Sequence, residues 1–304
     1  MSLLVRRRGF VLGSAATGLG LVSGLRPVLA QEPLKVGFVY VGPVTDNGWT
    51  FRHDVGRKAV EAAYAGKVTT SFVENVPEGP DAERVIRQLA TSGNGLIFTT
   101  SFGFMNPTLK VAKAMPKVRF EHCTGYQTGP NVATYNARFY EGRAVIGTIA
   151  GKMSKSGKVG YIGSFPIPEV VMGINAFTLA AQKVNPNIKT TVVWVNSWHD
   201  PGKEADAAKT LIDQGCDIIA QHTDSAAPLQ VAEQRGVFGF GQAADQSALA
   251  PKAQLTAIVD NWGPYYIERT GAVLDGSWKT QSVWYGFKEG MVTLAPYGPG
   301  VTPE

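Results

Sequence analysis

The residues with chemistry to offer stand where apolar runs give way to polar loops. Trp49 follows an apolar, β-branched run (Val36 to Val41), a turn at Gly42-Pro43 and a loop carrying Asp46, Asn47 and Gly48, and it precedes an amphipathic segment. That order reads as strand, loop and helix. In an open parallel α/β sheet, ligands bind beyond the carboxyl ends of the strands. A large aromatic in such a loop is therefore either a ligand platform or a buried plug, and on residue type alone the plug is the commoner outcome. Phe102 and Phe165 stand in two further strand-end loops, as cavity walls or as packing.

Several reaction types lack their parts. Among four histidines and two cysteines there is no HExxH, no CxxC and no cluster at metal-ligand spacing, and no Gly-x-Ser-x-Gly elbow occurs. Asp46 is alone at the end of the first strand, where a hydrolytic metal site would need a group of aspartates. Neither a metal nor a cofactor is expected, and catalysis is the weaker reading beside ligand binding.

With 304 residues and 44% hydrophobic content, the chain has material for two α/β lobes. Residues 1–30 are set aside first. Arg6-Arg7-Arg8 precede an apolar, Gly/Ala-rich run that ends in Val28-Leu29-Ala30, as in a secretory signal. Arg7-Arg8-Gly9-Phe10-Val11 looks like a twin-arginine export motif, with an ordinary secretory signal as the alternative. No cysteine stands at the cleavage site to take a lipid, so a soluble periplasmic protein is expected. The signal holds four of the 29 basic residues and none of the 24 acidic ones, which leaves 25 against 24 and a mature charge of +1. The sequence pI of about 9.1 is then no argument for nucleic acid. Cys123 and Cys216 lie far apart in apolar surroundings and read as two buried thiols rather than a disulfide.

Strands and helices then alternate. Strands are expected at Val36–Val41, Val68–Val73, 95–100, Val118–His122 and Val132–Asn136, with helices at Val55–Tyr64, Asp81–Ser92 and Asn106–Met115 between them. Phe139–Met153 has small residues on one face, as in a helix packed closely on a neighbour. The pattern starts again with strands at Val159–Ile162, Thr190–Val195, Ile218–Gln221, Val237–Phe240 and Leu255–Val259, separated by helices, and Tyr265–Leu274 is helical. The run from Trp284 to Val292 reads as a terminal hairpin. The fold class is α/β, with two Rossmann-like lobes of mostly parallel sheets around a ligand cleft. Residues 33–137 with about 255–282 are assigned to the first lobe, and 138–254 with about 283–304 to the second.

In this order the motifs resemble the basic membrane protein (BMP) family of substrate-binding proteins for ABC transporters. The residues are Gly42…Asp46-Asn-Gly-Trp49, Tyr140-Glu-Gly-Arg-Ala…Gly147…Ala150-Gly151, Gly157-Lys-Val-Gly160-Tyr-Ile-Gly163, Val195-Asn-Ser-Trp198-His-Asp200-Pro and Asp245-Gln-Ser-Ala-Leu-Ala-Pro251. The resemblance covers nearly the whole mature chain. It implies a type I periplasmic-binding fold, a monomer, a purine ligand, an inner-membrane ABC permease as partner, and no nucleic acid.

Members of that family hold a purine nucleoside with its base between two aromatic side chains, and those places are taken here by Trp49 and Trp198. The resemblance moves Trp49 from plug to platform. Stacking of this kind contributes about 1–3 kcal/mol per base and does not distinguish one base from another. Identity must come from polar groups, for which Asp46, Asn47, Tyr135, Asn136, Gln242 and Asp245 are candidates. His122 either reads a ring nitrogen or is a satisfied core histidine. Glu141 reads as a partner for a nearby basic residue or as a helix-start acid.

The departures concern the sugar. Where nucleoside-binding relatives carry an aspartate that grips the ribose, the run Gly241-Gln242-Ala243-Ala244-Asp245-Gln246 offers Ala243, and Asp260 stands where they carry a sugar-contacting lysine. A site without those groups no longer penalises a ligand that lacks hydroxyls. The expected ligand is the free base adenine. The alternatives are a nucleoside gripped through Gln242 or Asp260, a periplasmic sensor subunit and a nucleoside-processing enzyme.

Overall fold

The computed structural model describes residues 32–45 and 47–301. The export signal expected over residues 1–30, and Asp46, lie outside them. The chain opens with β1 (Leu34–Val39), α1 (Trp49–Ala63), β2 (Val68–Val73), α2 (Pro80–Thr91), β3 (Leu96–Thr99), α3 (Met105–Ala114), β4 (Arg119–Cys123) and β5 (Val132–Ala137). It continues through α4 (Phe139–Met153), β6 (Lys158–Gly163), α5 (Pro168–Val184), β7 (Lys189–Trp194), α6 (Pro201–Asp213), β8 (Ile218–His222), α7 (Ala227–Arg235), β9 (Phe238–Gly241) and β10 (Gln254–Asp260). It closes with α8 (Gly263–Asp275), β11 (Ser282–Tyr285) and β12 (Val292–Leu294).

Local chemistry accounts for these elements. β3 (Leu-Ile-Phe-Thr) is buried at every position, as a parallel strand covered on both faces must be. Helix α2 begins with Pro80, carries Asp81 and Glu83 in its first turn, and turns Val85, Ile86 and Leu89 inward. The small residues of α4 let it lie directly against α5. A Cβ at Gly147 would sit 2.2 Å from the Phe177 carbonyl oxygen, and one at Gly151 would sit 2.5 Å from that of Ala181.

Two six-stranded sheets result, in the orders β11-β5-β4-β3-β1-β2 and β12-β10-β9-β8-β6-β7. Every pairing is parallel except β12 against β10. Strand order reverses between β1 and β3 in one sheet and between β6 and β8 in the other. Each reversal opens a crevice at the strands' carboxyl ends.

The C-terminal quarter differs from the expectation. β10 was expected with the first lobe, but it pairs with β9 in the second sheet. Helix α8 then returns to pack on α1. The expected hairpin is two separate strands, with β11 added to the first sheet beside β5 and β12 to the second beside β10. The chain therefore crosses between lobes at residues 137–139, 260–263 and 285–292. Arg138 N–H donates to the Tyr285 carbonyl (2.6 Å) and Asn261 N–H to that of Met291 (2.9 Å), so the crossings are tied to one another. Both thiols, Cys123 and Cys216, are free and buried.

Candidate functional site

The loops at the carboxyl ends of both sheets meet around a small, partly open cavity. Its wall is built by Val41 and Trp49 after β1, Ser101 and Phe102 after β3, and Thr124 after β4. From the second sheet come Glu169 after β6, Trp198 after β7, and His222 with Asp224 at and beyond the end of β8. A wider groove shares Phe102, Thr124 and Glu169 with it and runs out past Tyr126, Asn136 and Trp284.

The two tryptophans reach the cavity by different means. Trp49 opens α1, is only 8% exposed, and its indole N–H donates to the Thr100 carbonyl (2.7 Å). Its ring meets His53 and Trp262 edge to face, with centroids 4.5 and 5.4 Å away. Trp198 is half-buried on the loop between β7 and α6, against Phe165 (5.1 Å between centroids). That loop is fixed from below by Glu204, which is fully buried and accepts from the Asp200 N–H (2.8 Å) and from the Ser225 hydroxyl (2.6 Å). The Asp224 N–H donates to the Trp198 carbonyl (2.9 Å), which ties the two cavity loops of the second lobe together.

Several bonds cross from lobe to lobe. The Trp198 indole N–H donates to Glu78 Oε1 (3.2 Å), and the same oxygen accepts from the Ser101 hydroxyl (2.6 Å) and the Gly103 N–H (2.8 Å). Gln246 Nε2 donates to the Asn47 carbonyl (3.1 Å), and Arg52 Nε to that of Asp260 (2.6 Å). The lobes also approach closely at Gly48, where a Cβ would lie 2.4 Å from the Asp224 carbonyl oxygen.

The polar part of the wall is short of charge compensation. Burial pushes the Glu169 carboxyl up to about 7, and the Asn136 hydrogen bond and the Arg143 charge offset only part of that. Among the described residues, the one basic nitrogen within 4.0 Å of it is His222 Nε2, at 3.8 Å. Burial and then Arg143 hold His222 well below its usual range, so that imidazole is neutral. Burial likewise pushes Asp260 up to about 8.

Of the residues singled out in the sequence, Trp49, Phe102 and Trp198 line the cavity. Phe165 backs Trp198, and Asn136 holds Glu169 by donating to Oε2 (3.3 Å). Others lie elsewhere. Asn47 is exposed, with its amide on the Thr45 carbonyl (3.1 Å). Tyr135 is in the first lobe's core, because β5 turns it onto the rings of Tyr265 and Trp262, and its hydroxyl pairs with that of Tyr266 (2.8 Å). Gln242 is buried and its Oε1 is taken by Arg143 Nη2. Asp245 is exposed and holds its own turn, accepting from the Ser247 N–H (3.0 Å) and Gln254 Nε2 (2.7 Å). Asp260 is fully buried, with no hydrogen-bond partner for either oxygen among the described residues. His122 is a core residue whose Nδ1 bonds the Thr99 hydroxyl (2.9 Å), and burial drops its pKa to about 3. Glu141 pairs with Arg138 (2.6 Å).

Sequence reasoning missed Glu78, Ser101, Thr124, Glu169, His222 and Asp224. One signal was available: Glu169 lies in the first turn of a helix that follows a strand-end loop, the place where an α/β fold presents side chains to ligand. Glu78 carried no such signal, since its partners are 23 and 120 residues away.

The model of the ABC transporter substrate-binding protein PnrA-like family matches residues 34–299. A purine-binding protein of Brucella abortus (strain 2308) is 61% identical over 289 residues, covering 95% of this chain and 79% of that one. A putative ABC transporter glucose-binding protein of Haloferax volcanii is 37% identical over 273 residues, or 90% of this chain and 69% of the other. In fold, the chain is similar to a solved ABC transporter solute-binding protein from Aeropyrum pernix K1, with a TM-score of 0.77 at 21% identity, over 87% of this chain and 77% of that one.

Proposed function

Because the chain belongs to the PnrA-like family of ABC transporter substrate-binding proteins, we propose that it is the exported purine receptor of an importer, holding the free base adenine between Trp49 and Trp198. The cavity carries this reading. It takes one tryptophan from each lobe and lies at the carboxyl ends of the strands, where an open α/β sheet binds ligand. A flat heteroaromatic ring matches two indoles better than a branched polar ligand does. The positions that would grip a ribose contribute nothing to the wall, since Ala243 is buried with no polar side-chain atom and Asp260 is enclosed below. The 61%-identical relative named as purine-binding points the same way.

Binding then proceeds by closure. The ligand enters through the wider groove and stacks on Trp49. Rotation about the three chain crossings brings up Trp198, which Glu78 receives through its indole N–H. The closed form is what an inner-membrane permease would recognise. Export through residues 1–30 to the periplasm belongs to the same proposal.

The relative named as glucose-binding supplies a second reading, because a sugar ring also packs on tryptophan. Calorimetric titration of ligand-stripped protein with adenine, adenosine, guanine, guanosine and glucose separates them. Adenine is expected to bind with one-to-one stoichiometry and the highest affinity. Much tighter binding of adenosine would remove the free-base assignment, and binding of glucose alone would remove the purine.

A further inference from the structure

Glu169 is a carboxylic group on the cavity wall with no Lys or Arg nitrogen within 4.0 Å among the described residues. Its Oε2 accepts from Asn136 Nδ2 at 3.3 Å, while Oε1 has only the neutral His222 imidazole nearby, at 3.8 Å. It lines the same cavity as Trp49 and Trp198.

Resting on the purine reading above, we infer that Glu169 selects adenine over guanine, presenting a neutral carboxyl whose O–H donates to ring nitrogen N7 and whose carbonyl oxygen accepts from the N6 amine. The chemistry follows from the two edges. Adenine shows an acceptor (N7) beside a donor (N6), whereas guanine shows two acceptors there, N7 and O6. On that edge a carboxylic acid, with one donor and one acceptor side by side, is complementary to adenine and not to guanine. A carboxylate offers acceptors alone and suits the N1–H and N2 amine of guanine's opposite edge. Oε2, already accepting from Asn136, keeps a second lone pair for the amine, and Oε1 carries the proton.

The protonation this requires is what the surroundings favour, since burial places the Glu169 carboxyl at about 7. The titratable and charged groups around it are Cys123 from β4, Arg143 from α4, His222 and Asp224 from the end of β8, and Asp260 from β10. Cys123 stays a thiol and His222 neutral through the physiological range. Asp260, at about 8, is a neighbour able to imitate the effect, so it needs its own control. The acid form is populated below about pH 7 and lost above it, so adenine affinity falls as pH rises.

Calorimetry on the ligand-stripped full-length mature protein with adenine and with guanine, at pH 6 and pH 8, tests this. Wild-type affinity for adenine should fall by about tenfold from pH 6 to pH 8, as expected for a group titrating near 7, while affinity for guanine does not fall. Glu169→Gln keeps one donor and one acceptor at every pH, so it should hold adenine as tightly as wild type does at pH 6 and lose the pH dependence. Glu169→Ala should bind adenine weakly at both pH values, and Asp260→Asn should keep the wild-type profile. A flat wild-type profile, a Gln variant as weak as the Ala variant, or a pH dependence abolished by Asp260→Asn would each overturn the inference while leaving the purine receptor intact. Failure of both purines to bind at either pH would instead overturn the receptor reading and this inference with it.

Discussion

The two walls of the cavity are built on opposite plans. Trp49 belongs to the interior of the first lobe: its N–H is bonded to a backbone carbonyl of its own lobe, and its ring is wedged among His53, Trp262 and Phe139. Trp198 belongs to a loop, half-buried, and its N–H finds its partner on the other lobe, at Glu78. Trp49 is held within its own lobe, and in the proposed closure Trp198 reaches its bonded position when the lobes meet. Trp49 is buried as a plug would be and also lines the cavity, so its burial does not exclude the platform role proposed for it.

That contrast makes truncations of the two residues unequal. Trp49→Ala should cost about 3–5 kcal/mol of folding stability, as for other buried Trp-to-Ala changes, together with ligand affinity. A urea midpoint unchanged from wild type would show that Trp49 is no part of the core. Trp198→Ala should leave the urea midpoint nearly unchanged and weaken adenine binding by about 1–3 kcal/mol, the value of one stacked contact. A large loss of stability there, with affinity intact, would reverse the assignment of the two walls.

Smaller effects sharpen the comparison. Glu78→Ala removes the acceptor that holds Trp198 across the cleft, and stopped-flow fluorescence should show adenine leaving about threefold to tenfold faster, in line with ~0.5–1.5 kcal/mol for a hydrogen bond. An unchanged off-rate would mean that Glu78 does not hold the lid. Asp260→Asn acts on a fully buried side chain. Its carboxyl is raised to about 8 in the fold against about 4 in an unfolded chain. The unfolded chain therefore sheds that proton first, and the wild type loses stability as pH rises from about 4 to about 8. The Asn variant should match the wild type in Tm near pH 4, exceed it at pH 8, and bind adenine no differently. Parallel Tm profiles for the two proteins would show that Asp260 is not held neutral.

How much of this was legible in the sequence follows from range. The alternating strands and helices are local patterns, and the expected α/β lobes match the two observed sheets. The small-residue face of Phe139–Met153 announced the tight α4–α5 contact for the same reason. Partner choice among strands is not local. Nothing within Leu255–Val259 or Trp284–Val292 says which sheet completes them, and those are the elements that moved between lobes. At the cavity, aromatics at strand ends were legible because the fold brings strand-end loops to the crevice. The polar residues were not. Gln242 is used up by Arg143 and Asp245 by its own turn, whereas Glu169 and Glu78 gain their places from partners far along the chain.

The central claim is that a purine lies flat between a fixed tryptophan and a mobile one. A crystal structure of the ligand-stripped protein with adenine added tests it most directly. The expected result is the base sandwiched by Trp49 and Trp198, with the Glu169 carboxyl at its N6 and N7 edge. Adenine bound anywhere else, or in the cleft with Trp198 turned away from it, would contradict the claim.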